Sequence, residues 1–119
     1  LIIDDEGQIR EIIAEILRME GVIPLSAGDG DEGVKLFQEQ IDSGGSVDCV
    51  VADLTIPGGM GGKEAVEILR TKGIPFKAIV TSGYGSDPVI TKYRESGFDA
   101  YILKPFSVND LIALVKELL

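Results

Sequence analysis

Polar side chains able to do chemistry follow directly on four apolar runs of this chain. Asp4, Asp5 and Glu6 come after Leu1-Ile2-Ile3, Asp53 after Val50-Val51-Ala52, Thr81 and Ser82 after Ala78-Ile79-Val80, and Lys104 after Tyr101-Ile102-Leu103. Carboxylates a few ångströms apart repel and need a cation or a proton between them. Aspartate oxygens suit Mg²⁺, which accepts few protein carboxylates and keeps several waters. An aspartate can also be the nucleophile and form an aspartyl phosphate. Such a transfer depends on positioning and on charge placed around the phosphoryl oxygens. An ammonium such as Lys104 and a hydroxyl such as Thr81 supply those contacts. Asp53 is the best nucleophile, because it ends the most central-looking apolar run and stands beside the glycine cluster Gly58–Gly62.

These residues can act together only if the chain brings them to one place. Five short apolar runs, Leu1–Ile3, Val22–Ala27, Val47–Ala52, Lys77–Thr81 and Ala100–Leu103, read as strands buried on both faces. Helical spacing lies between them. Ile9, Ile12, Ile13, Ile16 and Leu17 form one stripe, Val34, Phe37 and Ile41 a second, and Ala65, Val66 and Leu69 a third. Ser86–Glu95 is a weaker fourth helix, and Val108, Leu111, Ile112, Val115 and Leu118 mark the last. Gly21, Gly44, Gly73 and Gly97 stand where these helices should stop, Pro88 suits a first turn, and Ser107 with Asp110 makes an approximate capping box. The resulting βαβαβαβαβα order predicts an α/β domain, a parallel sheet covered by helices on both sides. Ligands bind such sheets at the carboxyl ends of the strands, where all of the candidates fall. Strand one is short for a buried strand. One or two residues upstream are expected to complete it.

Composition narrows the choice. With 119 residues the chain is one domain, and 45% apolar content is enough for a core. Twenty acidic against eleven basic residues give a net charge of −9. That lacks the basic footprint of a nucleic-acid surface and disfavours an anionic membrane. No apolar run reaches the roughly 20 residues needed to span a bilayer. No signal peptide is visible, which points to a cytoplasmic domain or the cytoplasmic part of a larger sensor. The lone Cys49 cannot close an internal disulfide and reads as a small buried hydrophobe. Histidine is absent, which excludes a histidine triad, a histidine-ligated zinc site and a phosphohistidine on this chain.

Asp4-Asp5, Asp53 with Pro57, Thr81-Ser82-Gly83-Tyr84 and Lys104-Pro105-Phe106, in that order at successive strand ends, resemble the receiver domain of two-component response regulators. The resemblance covers residues 1–119. It implies a flavodoxin-like (βα)5 three-layer sandwich, a five-stranded parallel sheet of order 2-1-3-4-5. It implies that Asp53 accepts a phosphoryl group from a histidine on a partner, either a histidine kinase or a histidine phosphotransfer domain. By the same carry-over Asp5, Asp53 and the backbone carbonyl of Thr55 bind Mg²⁺, and Asp4 assists through a water. Lys104 contacts the phosphoryl group, and its bond to Pro105 is cis. Thr81 moves on activation, and Tyr101 is the switch aromatic that follows it, altering the face of helix four, strand five and helix five. The domain would promote its own phosphorylation. Thr55 and Gly83 hold the positions that tune hydrolysis. The stretches Asp53–Glu64 and Thr81–Ser86 are closest to receiver domains fused to sensory histidine kinases, although a single-domain protein fits as well.

Two departures and three competing motifs bear on this. Ile56 stands where a Met commonly precedes the loop proline, and the loop Pro57–Gly62 is one glycine longer than usual and lacks its Asp. Each glycine raises the entropy lost on ordering by about 0.5–1 kcal/mol, so a mobile loop is expected. Gly28-Asp-Gly30-Asp-Glu-Gly33 matches a dinucleotide fingerprint, but its three acids would repel a pyrophosphate. Gly62-Lys63 lacks the remainder of a phosphate-binding loop, and Thr55 replaces the second Asp of aspartyl phosphatases. A phosphorylation-independent interaction module of the same fold is the alternative reading.

Overall fold

The structure, a computed structural model, describes residues 1–119. Strands and helices alternate along the chain: β1 (Ile2–Ile3), α1 (Gly7–Met19), β2 (Ser26–Ala27), α2 (Gly30–Asp42), β3 (Cys49–Asp53), α3 (Gly62–Arg70), β4 (Lys77–Ser82), α4 (Pro88–Thr91), β5 (Ala100–Leu103) and α5 (Val108–Leu118). All strand pairs are parallel, and the sheet order is β2-β1-β3-β4-β5. This is the expected flavodoxin-like (βα)5 arrangement, with β3 in the centre.

The two-residue period of the strands divides the core into two layers. Ile3, Val50, Ala52, Ala78 and Val80 face α2, α3 and α4, packing with Phe37, Val66, Leu69 and Phe98. Ile2, Val51 and Ile79 face α1 and α5, packing with Ile13, Leu17, Leu111 and Val115. Each large apolar side chain buried this way contributes about 1.5–3 kcal/mol. Both faces of β3 and β4 are covered, so their sequences run continuously apolar. β5 lies at the sheet edge, where Tyr101 and Leu103 remain 45% and 39% exposed.

Helix ends follow local chemistry. Gly21, Gly44, Gly73 and Gly97 all have positive φ; the first three follow the ends of α1, α2 and α3, whereas Gly97 closes the turns after α4 rather than the helix itself. Ser107 Oγ accepts from the Asp110 N–H at 3.1 Å, the expected cap of α5. Pro88 occupies the first turn of α4 behind the Asp87 cap.

Five expectations need correction. β3 is Cys49–Asp53 rather than Val47–Ala52, because its ladder with β4 begins at the Cys49–Lys77 pair and runs through Asp53–Thr81. β2 is Ser26–Ala27 rather than Val22–Ala27, because Pro24 lacks an N–H and Ile23 is 89% exposed at the edge. The Leu25 carbonyl still accepts from the Ile2 N–H at 2.8 Å. α4 is one turn, Pro88–Thr91, rather than Ser86–Glu95. Its run of β-branched Val89, Ile90 and Thr91 weakens helix propensity, and residues 92–97 close in i→i+3 turns. Ile12, counted in the buried stripe, is 51% exposed. Cys49 is only half-buried, yet burial still pushes its thiol up to about 11.

Candidate functional site

The carboxyl ends of β1, β3, β4 and β5 meet in one crevice, because parallel strands all deliver their last residues to the same edge. β3 hands over Asp53, paired across the ladder with Thr81 of β4, which in turn pairs with Ile102 of β5, two residues before Lys104. α3 approaches closely enough that a Cβ on Gly62 would stand 2.7 Å from the Asp53 carbonyl oxygen, and one on Gly61 would stand 2.5 Å from that of Leu54. Glycine at 61 and 62 is therefore required by packing.

Asp4 and Asp53 are buried, at 3% and 6% exposure, while Asp5 is exposed at the mouth. One carboxylate oxygen from each of the three lies within 4.8 Å of the others. Lys104 Nζ bridges the buried pair, 3.0 Å from Asp4 Oδ2 and 3.2 Å from Asp53 Oδ2, with Glu6 Oε1 at 3.8 Å. The second oxygens are also held. Asp4 Oδ1 accepts from the Glu6 N–H at 2.9 Å, and Asp53 Oδ1 accepts from the Thr55 N–H at 3.2 Å.

Burial pushes the Asp53 carboxyl above the usual carboxylate range, against the pull of Lys104 and the Thr55 N–H. Burial acts on Lys104 in the opposite sense to its partners. It would lower the ammonium, but the hydrogen bonds and charges of Asp4 and Asp53 outweigh it and raise the group. One lysine shared by two buried carboxylates leaves a net negative pocket with room for more positive charge.

Thr81 is 2% exposed, and its Oγ1 has no hydrogen-bond partner. A buried hydroxyl without a partner is uncommon and asks for a reason. An acceptor delivered to Asp53, such as a phosphoryl oxygen, would supply that partner. The three clustered carboxylates are the hard-oxygen donor set of a divalent cation, so the residues fit Mg²⁺ as well as a phosphoryl group.

Other expected positions divide. Tyr101 points outward, its ring 5.2 Å from that of Tyr93. Thr55 and Gly83 are exposed beside the pocket, and the Lys104–Pro105 peptide is cis. The glycine fingerprint at 28–33 is a packing device. A Cβ on Gly33 would meet Ile3 Cδ1 at 2.5 Å and one on Gly30 would meet Met60 Cγ at 2.7 Å, while Asp29 caps α2 through the Glu32 N–H. Two contacts had no sequence signal. Arg10 Nη1 donates to the Asp4 carbonyl at 2.6 Å, and Arg70 ties α3 to the Gly97 carbonyl at 2.8 Å and to Asp99 at 3.2 Å. Each depends on chain segments brought together only by the fold.

A doubly covered parallel sheet with an acidic pocket and one lysine at its carboxyl edge defines a small flavodoxin-like α/β domain. Residues 1–116 match the family model described as "Response regulator receiver domain", and the chain belongs to that family. Among curated relatives, the Alkaline phosphatase synthesis transcriptional regulatory protein SphR of Synechococcus elongatus is 31% identical over 100% of this chain and 48% of its own length. Transcriptional regulatory protein PdtaR of Mycobacterium tuberculosis is 35% identical over 98% of this chain and 54% of its own. The chain thus spans about half the length of the curated relatives it matches. The receiver domain of Francisella response regulator 1452 superposes with a TM-score of 0.83 at 30% identity, covering 98% of this chain and 92% of that one. Vibrio cholerae chemotaxis protein CheY4 shares the fold, with a TM-score of 0.87 at 22% identity over 99% of this chain and 95% of that one.

Proposed function

We propose that this domain accepts a phosphoryl group on the Asp53 carboxylate from a phosphohistidine of a partner kinase or phosphotransfer domain. One observation carries the reading. Asp53, the Asp4–Asp5 pair and Lys104 converge on one pocket, and Thr81, whose buried hydroxyl has no partner, pairs with Asp53 across the strand ladder. An Asp53 oxygen attacks phosphorus, the phosphorus–nitrogen bond breaks, and the imidazole leaves with the electron pair and takes up a proton. Lys104 and the Thr81 hydroxyl stabilise the equatorial oxygens. Asp5, Asp53 and the Thr55 carbonyl would hold Mg²⁺, with Asp4 acting through a water, and the ion supplies the charge that offsets the incoming phosphoryl group.

This chain has no histidine, so the donor must come from outside residues 1–119 and reach Asp53 across the crevice mouth. A groove of about 420 Å³ runs beside that mouth, lined by Ile9, Ile12, Ile13, Pro105 and Phe106 next to Glu6 and Lys104. It suits the apolar face of a donor helix. No helix of this domain is long and apolar enough to cross a membrane. We place the domain in the cytoplasm, joined to a sensor kinase, on the similarity of the 53–64 and 81–86 stretches. A transcriptional regulator is the second context, favoured by the names of the relatives.

Once Asp53 is phosphorylated, the added charge pulls on Thr81 and on Lys104, which already pairs with Asp53. The α4–β5–α5 face, Tyr101 included, then shifts population between two states. The one-turn α4 and the outward Tyr101 fit a resting state of that equilibrium.

Acetyl phosphate with Mg²⁺ tests the reading by intact mass. The expected result is a single phosphoryl group, which does not form when Mg²⁺ is chelated beforehand or in a folded Asp53→Ala. Labelling that persists in Asp53→Ala, or no labelling of the wild type, overturns it in favour of a phosphorylation-independent interaction module.

A further inference from the structure

Cations near the acidic crevice are used in two different ways. Lys104 pairs with Asp4, Asp53 and Glu6. Arg10, on the first turns of α1, instead spends Nη1 on a main-chain oxygen, the Asp4 carbonyl at 2.6 Å. Its guanidinium lies against glycine backbone on two sides, with Nη2 3.6 Å from where a Cβ on Gly7 would stand and Nη1 3.6 Å from one on Gly28. A planar, permanently charged fork thus spans the ends of β1 and β2.

The consequence falls on Asp4 and the residue after it. Asp4 is fixed at four atoms. Its N–H donates to Ala27 O at 3.1 Å, its carbonyl accepts from Arg10, Oδ1 accepts from Glu6 N–H, and Oδ2 accepts from Lys104. Asp5 is exposed in the bend that follows the Asp4 carbonyl. One of its carboxylate oxygens still lies within 4.8 Å of those of Asp4 and Asp53.

We propose that Arg10 is a positioning residue for the divalent-cation site: it holds the Asp4 carbonyl, sets the turn that aims Asp5, and keeps that carbonyl from becoming a ligand itself. The proposal rests on the reading of the acidic cluster as a Mg²⁺ site. Two physical effects of removing Arg10 have opposite signs. A fixed positive charge repels a divalent cation, so Coulomb's law alone makes the site tighter without it. A positioning role makes the site weaker.

Mn²⁺ titration followed by the electron paramagnetic resonance of the free ion, with Mg²⁺ as competitor, reads that sign on the unphosphorylated protein. Arg10→Gln should raise Kd about tenfold, the lower end for outer-shell partners of metal ligands. Arg10→Lys keeps the charge without the fork and should recover only part of the loss. Circular dichroism and thermal melts establish that each variant is folded. An unchanged or lower Kd in folded Arg10→Gln, or a wild-type Kd in folded Arg10→Lys, overturns the proposal. So does failure of both variants to fold, since Arg10 would then hold the fold rather than the site. A wild type that binds no Mn²⁺ at millimolar concentration overturns the metal reading and this proposal together, whereas tight wild-type binding with unaffected variants overturns this one alone.

Discussion

The Thr81 hydroxyl shows how function can be written into one side chain. A buried hydroxyl without a partner costs about 1–3 kcal/mol, and Thr81 Oγ1 is in that condition. Thr81→Val has nearly the same shape and removes the unmet group. It should raise the unfolding free energy by about 1 kcal/mol in urea melts, and the phosphorylated variant should lose its conformational response. A fall in stability would mean that the hydroxyl is already satisfied. Thr55 and Gly83 are exposed at the crevice, and neither carries a carboxylate or amide able to orient an attacking water. The phosphorylated domain should therefore persist for minutes or longer after the donor is removed, and decay within seconds by intact mass would contradict this. Which residues the crevice gathers was legible at this scale, because each follows an apolar run. That Asp4 rather than Asp5 is the buried partner of Lys104 was not, since adjacent residues at a strand end separate only when the turn is formed.

Among the elements, the α3 start shows what spacing alone conceals. Gly58–Gly62 reads as a mobile glycine loop, yet its members differ in role. Gly58 has φ +74 and open space around it. Gly61 and Gly62 allow α3 to press on the end of β3, and the Gly30 N–H donates to the Met60 carbonyl at 2.7 Å, tying the loop to α2. Gly62→Ala should cost about 1–3 kcal/mol, the range of overpacked cores, and should displace Asp53 enough to slow labelling by acetyl phosphate. Gly58→Ala also destabilises, through its left-handed backbone, but should leave labelling intact. Equal labelling rates in Gly62→Ala and the wild type would remove the link between this packing and the site. The long helices and the central strands were legible because their burial is one-sided or complete. β2 and α4 were not. An edge strand with Pro24 and a helix of β-branched residues have their lengths set by neighbours rather than by propensity.

For the molecule as a whole, charge is the organising quantity. A net charge of −9 with three carboxylates in one crevice opposes the compact state. A cation bound only by the folded form stabilises it by mass action, about 1.4 kcal/mol at ten times Kd. Mg²⁺ at that level should raise Tm by about 6 °C. No shift, or a full shift in Asp53→Asn, would contradict the site. The alternation of strands and helices, the α/β class and the residues gathered at the crevice could all be read from the chain before folding. Each of these depends on local periodicity or on one residue's chemistry. The distances came with the assembled fold: Lys104 bridging Asp4 and Asp53 across 100 and 51 positions of chain, Arg10 on a backbone carbonyl, and the isolation of the Thr81 hydroxyl. Those follow from how closely helices and strands pack, and packing is a property of the assembled core that no single stretch of chain contains.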